Sequence, residues 1–215
     1  MSALVGLDRT NLRELAVGSL RRAITSGEIV PGTHMVETDL SERLGISRGT
    51  LREAMRQLQQ EGLLESGARG RLSVRNLDAR EIEDIFLVRG ALEALAARII
   101  ISTGRIAEAV PALRAAIDRM RAAEDGSVTA LIEADLDFHR ALVSFPGNTT
   151  LVHQWQQLEG SIRMSIMYAG PERATANMDT DRHVDMLDAI ETGDEEHAVT
   201  VIRAHHMEAA ATLTS

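Results

Sequence analysis

The hydrophobic pattern of the first third of the chain predicts three helices and then a pair of short strands. Apolar residues recur every three or four positions, which is the period of an amphipathic helix, and glycines interrupt the pattern between segments. Two extended pieces separated by a glycine-containing turn follow, as in a β-hairpin. The predicted helices cover residues 12–26, 39–44 and 47–62, and the predicted strands cover residues 64–66 and 71–75.

Beyond Asp78 the apolar residues keep the helical period, and no segment shows the alternation typical of a strand. Glycine and proline residues divide this part of the chain into six predicted helices, which we expect to form an all-α bundle. These helices are expected over about residues 79–102, 105–123, 128–145, 149–168, 178–192 and 195–213.

The outer side of the third predicted helix is rich in arginine. Arg48, Arg52 and Arg56 recur there at helical spacing, opposite an apolar face that contains Leu51 and Leu58. Two helices, a tight turn with glycine and an arginine-bearing face are what a helix-turn-helix needs to place its second helix in a DNA major groove. An ordinary helical hairpin with solvated arginines is the alternative. The predicted fold is therefore mainly α, with a winged helix-turn-helix in residues 1–76 and an all-α bundle in residues 77–215.

Net charge is unevenly distributed along the chain. The whole chain carries −9, but residues 1–76 hold 11 arginines against 9 acidic residues, whereas residues 77–215 hold 12 against 23. The two parts therefore carry +2 and −11. Attraction to phosphate is local and is screened within about 10 Å at 0.1 M salt, so an acidic second domain does not prevent the first from binding DNA.

Composition excludes several classes of protein. The chain has no cysteine, so it has neither disulfides nor thiolate metal sites. It contains no run of 18 apolar residues, and its N-terminus lacks the apolar segment of a signal peptide. We expect a soluble, cytoplasmic protein.

One carboxylate and three histidines fall on apolar faces of the predicted bundle. Asp135 and His139 are one turn apart on a single helix, so their side chains should meet. His183 and His205 follow the apolar stripes of two later helices. A buried, unpaired carboxylate costs several kcal/mol as an order of magnitude, so a partner is required. A divalent Zn, Ni, Mn or Fe ion would provide one, and a hydrogen-bonded Asp–His pair beside two unrelated histidines is the alternative.

Other polar residues of the bundle are weaker candidates. Arg89 also lies in an apolar stripe, where it either pairs with Glu93 or holds a carboxylate ligand. Arg163 is a second candidate for such a ligand. Asn148 either lines the pocket or caps the helix that follows it. His206 is a rival to His205, although the stripe favours His205. Three histidines outside the pattern are expected at the surface, namely His34, His153 and His197.

The N-terminal segment resembles the winged helix-turn-helix of the GntR family of bacterial transcription regulators. The match lies in Leu44-Gly45, in Ser47-Arg48, in Arg52-Glu53-Ala54 and in Glu61-Gly62-Leu63, with Gly70 in the wing. Gly49-Thr50 replaces the usual Thr-Pro of the family. The resemblance implies that double-stranded DNA is the partner. The expected DNA-contacting residues are Arg48, Gly49, Thr50, Arg52, Arg56, Arg69 and Arg71.

The predicted bundle is similar to the FCD domain, the effector domain of the FadR subfamily of these regulators. The similar motifs are Arg89 with Glu93, Asp135 with His139, Gly147-Asn148, His183 and Arg203–His205. The six predicted helices favour the VanR-type branch. In many FCD domains the matching aspartate and three histidines bind a divalent metal beside an organic acid. The resemblance therefore implies a metal at Asp135, His139, His183 and His205, and an effector site at Arg89, Asn148 and Arg163.

These observations together predict a ligand-responsive transcription regulator that is not an enzyme. We expect a homodimer that binds a palindromic operator, acts as a repressor of metabolic genes and responds to a small carboxylate. A metal-sensing regulator is the alternative. A metal-dependent hydrolase is a weaker one, because the inward faces carry no dedicated general base or nucleophile.

Overall fold

The computed structural model describes residues 9–67 and 70–215, with side chains from residue 12 onward. The chain divides into two compact units, residues 1–76 and residues 77–215. Each is described by itself below. The mainly α class predicted from the sequence, with a two-stranded wing, is confirmed.

The described residues of the N-terminal unit form three helices followed by a two-stranded antiparallel sheet. In the sheet Leu64 pairs with Val74 and Ser66 pairs with Leu72. His34 adds an isolated bridge to Ser73, beside the second strand. The elements are α1 (Arg9–Thr25), α2 (Glu37–Leu44), α3 (Arg48–Gln60), β1 (Leu64–Ser66) and β2 (Leu72–Val74).

The turn between α2 and α3 forms for local reasons. Gly45 ends α2 with φ +63°, a left-handed conformation that glycine adopts without steric cost. Ser47 then caps α3, because its hydroxyl accepts a hydrogen bond of 3.1 Å from the backbone N–H of Thr50. Leu51 and Leu58 are fully buried, as their spacing predicted.

Helical spacing predicts that Leu12, Leu15, Leu20 and Ile24 all face inward in α1, but the beginning of this helix is exposed. Leu20 and Ile24 are buried, whereas Leu12 is 52% exposed and Leu15 is 62% exposed. The buried stripe begins at Ala16. Leu15 lies about 100° around the helix from Ala16, so it falls outside this stripe.

The C-terminal unit is a bundle of seven helices rather than the six expected. The additional helix is α8, which starts at Pro171 in the segment that the sequence analysis took only as a break. Proline suits the first turn of a helix, because the N–H that it lacks would have no partner there. The helix count behind the VanR-type assignment is therefore wrong. The helices are α4 (Ala79–Ser102), α5 (Ile106–Ala123), α6 (Val128–Ser144), α7 (Thr149–Tyr168), α8 (Pro171–Asn177), α9 (Thr180–Glu191) and α10 (Glu195–Thr214).

The bundle core is aliphatic, with a few large aromatic side chains. Helices α4 and α10 pack along each other, and α6 packs against α5 and α7. Phe86, Phe138 and Trp155 are almost completely buried among leucine, isoleucine and alanine side chains. No helix within the described ranges is both long and apolar enough to cross a bilayer.

Candidate metal centre and nucleic-acid interface

Three helices of the bundle bring three imidazoles together in its core. His139 comes from α6, His183 from α9 and His205 from α10, and their potential ligand nitrogens all lie within 4.8 Å of one another. The Nε2 atoms of His139 and His183 are 3.1 Å apart. All three side chains are buried. The fold thus assembles the three histidines that the sequence analysis proposed.

Asp135 lies beside two of these histidines. Its Oδ1 is 3.0 Å from Nε2 of His183 and 3.7 Å from Nε2 of His139. Its other oxygen, Oδ2, is buried without a hydrogen-bond partner in the described part of the chain. The four proposed metal ligands are therefore neighbours, and Asp135 and His139 meet across one helical turn as their spacing predicted.

Hydrogen bonding orients the ring of His183 toward the cluster. Its Nδ1 is 2.9 Å from the backbone carbonyl of Asp179, which can only accept, so Nδ1 carries the hydrogen. The lone pair on Nε2 of His183 then faces Oδ1 of Asp135, which is also an acceptor. Two acceptors at 3.0 Å repel each other unless a cation or a proton lies between them. A divalent ion with nitrogen and oxygen ligands fits this set of atoms.

Burial and charge determine how these groups titrate. Burial and the neighbouring histidines lower the pKa of His205, and burial also lowers the pKa of His183. Burial opposes ionisation of Asp135, yet the neighbouring imidazoles, His139 above all, hold its pKa well below the usual range. Neutral imidazoles and an ionised carboxylate are the forms that bind metal.

Glu93 is a buried polar residue with more contacts than the Arg89 pairing that the sequence predicts. It is fully buried and has four hydrogen-bond partners. Oε1 accepts from Arg89 Nε and Trp155 Nε1, both at 2.9 Å. Oε2 lies 2.6 Å from Nδ1 of His139 and 2.8 Å from Nε2 of His206. The sequence signal for its burial is its position one helical turn after Arg89, on the same apolar stripe.

Opposing effects also act on the groups around Glu93. Burial opposes its ionisation, but His139, His206 and Arg89 together hold the pKa of its carboxyl well below the usual range. Burial and Arg89 lower the pKa of His139, but Glu93 and Asp135 outweigh them and raise it. Burial lowers the pKa of His206 to about 4 despite Glu93. Glu93 is therefore ionised and His206 is neutral at pH 7.

His205 and His206 are both buried in the bundle, although the apolar stripe of the sequence favours His205 alone. His205 joins His139 and His183, whereas His206 joins Glu93 and His139 in a second group of potential ligand atoms. His206 is 1% exposed and its ring lies beside Phe86. The predicted surface histidines, His34, His153 and His197, are exposed.

The proposed effector residues make different contacts. Arg89 lies beside the cluster, with Nη2 3.8 Å from Oδ2 of Asp135, and neither atom has a hydrogen-bond partner among the described residues. Arg163 is instead held by both carboxylate oxygens of Glu133, with Nη2 3.0 Å from Oε2. Asn148 caps α7 by accepting the backbone N–H of Leu151 at 3.1 Å. Local pairing and capping account for these two positions.

The outer face of α3 presents most of the proposed DNA-contacting residues. Arg48, Gly49, Arg52 and Arg56 are exposed, and so is Arg71, which immediately precedes the second wing strand. Thr50 is half-buried, and its hydroxyl lies 2.9 Å from that of Ser47. Arg69 lies outside the described residues. Glu37 accepts a hydrogen bond of 2.8 Å from Nε of Arg52, so part of this face is paired within the protein.

A helix-turn-helix with an arginine-rich second helix, a wing and a bundle with a buried polar cluster define a two-domain DNA-binding regulator. The family comparisons agree. Residues 12–74 match the bacterial regulatory proteins of the gntR family, and residues 84–208 match the FCD domain. The chain belongs to the GntR family of transcription regulators and carries an FCD domain. It is therefore a regulator, and the hydrolase alternative is excluded.

Characterised relatives and solved structures are similar over most of the chain. The probable D-xylose utilization operon transcriptional repressor of Paenarthrobacter nicotinovorans is 28% identical over 94% of this chain and 88% of its own length. The Glc operon transcriptional activator of Escherichia coli K12 is 30% identical over 70% of this chain and 67% of its own. The crystal structure of a putative GntR-type transcriptional regulator from Rhodococcus sp. RHA1 has the same fold, with a TM-score of 0.73 and 24% identity. The match covers 95% of this chain and 97% of that one.

Proposed function

We propose that this regulator is a repressor whose bundle holds one divalent metal ion and senses a small carboxylate at that ion. DNA binding is assigned to residues 1–76, and effector binding and dimerisation to residues 77–215. The observation that carries the proposal is the convergence of His139, His183 and His205 beside Asp135, whose oxygen faces a nitrogen lone pair at 3.0 Å. As a regulator of transcription, the protein would act in the cytoplasm, where bacterial DNA lies.

The ion would be held by Asp135, His139, His183 and His205. Three imidazoles and one carboxylate suit Zn²⁺, Ni²⁺, Mn²⁺ or Fe²⁺. When bound, the ion supplies a Lewis-acidic position to which carboxylate oxygens can coordinate. The four side chains orient it, and the surrounding apolar core keeps bulk water away.

Charge in the cluster favours an anionic effector. Asp135, Glu93 and Arg89 are all buried and together carry one net negative charge, which becomes one net positive charge with a divalent ion. Burying an uncompensated charge is costly, and a monocarboxylate would neutralise this one. The unpartnered Nη2 of Arg89 offers a hydrogen-bond donor for the second end of such a ligand.

Elemental analysis of purified protein tests the metal. We expect about one equivalent of a divalent metal in the unsubstituted chain and in His153→Ala, whose histidine is exposed on α7. His183→Ala should lose it. Absence of metal from untreated protein, together with no thermal stabilisation by added Zn²⁺, Ni²⁺ or Mn²⁺, would contradict the site. Release of operator DNA by chelation alone would favour the alternative, in which the metal itself is the signal.

Release of operator DNA by small acids tests the effector. Screening sugar acids and short hydroxy- or dicarboxylates should identify an acid that dissociates the complex, because a ligand shifts the equilibrium only if it prefers the DNA-incompetent state. Arg89→Met should keep metal and operator binding but require at least tenfold more acid. Arg114→Met, which alters an exposed arginine paired with Glu191, is the control. An acid that tightens operator binding would identify an activator instead.

An exposed apolar face on α4 and α10 supports a homodimer. Leu87 and Met207 are each 65% exposed, Val88 is 49% exposed and Leu95 is 44% exposed. Exposed large apolar side chains concentrated on adjoining helices are typical of an interaction surface. A two-fold dimer would cover this face and would place two winged domains on a palindromic operator.

A further inference from the structure

We propose that Glu93 is a positioning residue that fixes the tautomer of His139, so that Nδ1 carries the hydrogen and the lone pair of Nε2 is available to the metal. This inference rests on the proposed metal site and assigns a function to a residue outside it. The geometry that carries it is the bond of 2.6 Å between Oε2 of Glu93 and Nδ1 of His139.

His139 lies between two polar groups and contacts each with a different ring nitrogen. Its Nε2 is 3.1 Å from Nε2 of His183 and 3.7 Å from Oδ1 of Asp135, on the side of the proposed ion. Its Nδ1 faces Glu93 on the other side. Neutral imidazole carries a hydrogen on only one of its two ring nitrogens. A group that accepts a hydrogen bond from Nδ1 therefore leaves the lone pair of Nε2 available to coordinate a metal.

The groups around Glu93 require Oε1 to accept and are all satisfied when Oε2 accepts as well. Arg89 and Trp155 contact Oε1, and their side-chain N–H groups can donate but never accept. His139 and His206 contact Oε2 and can do either. An ionised carboxylate satisfies all four groups at once and holds both imidazoles as donors.

A second metal ion at Glu93, His139 and His206 is the competing interpretation, because their ligand atoms also lie within 4.8 Å of one another. Two observations oppose it. Arg89 already donates to the carboxylate at 2.9 Å, so a dication there would be next to a buried guanidinium. The distances from Oε2 to both imidazoles are those of hydrogen bonds. We therefore expect one ion per chain.

Glu93→Gln separates a positioning role from a merely structural one. The amide NH₂ of the variant must point away from Arg89 and Trp155, because those two side chains offer no acceptor. It then faces the imidazoles, and His139 can accept from it only by moving its hydrogen to Nε2. That tautomer has no lone pair for the metal. The substitution thus weakens metal binding through the ring of His139, although all four proposed ligand residues are still present.

Metal titration and histidine NMR together provide the test. Zn²⁺ affinity, measured by calorimetry at pH 8, should fall about 10–100-fold in Glu93→Gln, the range typical of groups that orient ligands. Glu133→Gln is the matched control, because it makes the same change to an arginine-paired carboxylate on α6, the helix that carries His139. Its affinity should stay within about threefold of the parent. Long-range ¹H–¹⁵N spectra should show the hydrogen of His139 on Nδ1 in the parent and on Nε2 in Glu93→Gln.

Three results would overturn the inference. They are an Nε2-protonated His139 in the unsubstituted protein at pH 8, an unchanged Zn²⁺ affinity in folded Glu93→Gln, and two ions per chain. If Glu93→Gln does not fold, the spectrum of the unsubstituted protein still decides, with His139 assigned by the loss of its signals in His139→Asn. If the parent binds no metal at all, the proposed metal site fails, while the tautomer measured in metal-free protein tests Glu93 separately.

Discussion

The ring of His206 packs into the space that Gly90 leaves by lacking a side chain. A Cβ built on Gly90 would lie 3.3 Å from both Cβ and Cδ2 of His206, which is closer than ordinary van der Waals contact. Glycine inside a helix costs roughly 1 kcal/mol relative to alanine. Gly90 therefore gives up helix stability in α4 so that α10 can bring His206 within 2.8 Å of Glu93.

The Gly90→Ala substitution should destabilise the parent protein, because the added methyl group displaces a ring that is buried and hydrogen-bonded. In a His206→Ala background the same substitution should be less destabilising or stabilising, since the contact with the ring is gone and only the contact with Cβ of residue 206 remains. Urea unfolding of the four proteins of this double-mutant cycle measures both effects. Stabilisation of equal size in the two backgrounds would show that the contact carries no strain.

Arg52 and Arg71 should differ in how they affect DNA binding. Arg52→Ala on α3 should cost about 1–3 kcal/mol at the operator and less on random DNA, because a recognition-helix arginine contacts base edges. Arg71→Ala in the wing should weaken both complexes similarly and reduce the salt dependence by about one ion. Gel shifts over a range of salt concentrations measure the losses of affinity and the salt dependence. Equal losses of affinity on operator and random DNA for Arg52→Ala would mean that Arg52 contacts phosphate instead.

Metal-free protein should lose stability as the pH falls from about 6.5 toward 4. Burial lowers the folded-state pKa values of His183, His205 and His206, the last to about 4, so the unfolded chain takes up protons in this range that the native chain does not. The pKa of His139 is raised and acts in the opposite direction, but on one residue only. The lowered pKa values of Asp135 and Glu93 add a further loss at lower pH.

For His206 alone, the lowering of the pKa from 6.5 to about 4 corresponds to a loss of about 3 kcal/mol in the free energy of unfolding, at about 1.4 kcal/mol per pKa unit. The urea midpoint of metal-free protein should therefore be lower at pH 5 than at pH 7.5. In His206→Leu, whose new side chain has no ionisable group, the difference between the urea midpoints at the two pH values should be smaller. A midpoint that does not change with pH would mean that these histidines are protonated in the folded state.

Leu87→Glu should dissociate the proposed dimer, because it places a charge on the exposed apolar face on α4 and α10. Light scattering should then give about 23 kDa, the mass of one chain, and about twice that for the parent. Leu15→Glu is the matched control, since Leu15 on α1 is similarly exposed at 62% and lies outside this face. A parent protein that is already monomeric at micromolar concentration would contradict the dimer.

Local signals in the sequence predicted the elements that depend on neighbours along the chain. Gly45 and Ser47 define the turn before α3, because a left-handed glycine and a capping hydroxyl act within a few residues. Asp135 and His139 are neighbours for a similar reason, since positions four apart share one face of a helix. Local pattern was insufficient at Gly170-Pro171, where a break and the start of a short helix have the same signature.

The sequence by itself therefore determined the class of fold, the recognition helix and three of the four inward-facing histidines, but not His206. Only the tertiary structure decided what those histidines contact. Glu93 meets His139, Trp155 and His206 across 46, 62 and 113 residues of chain. Helical periodicity shows which side of a helix is buried, but it does not show which side chain of another helix lies opposite, because that depends on how the helices pack.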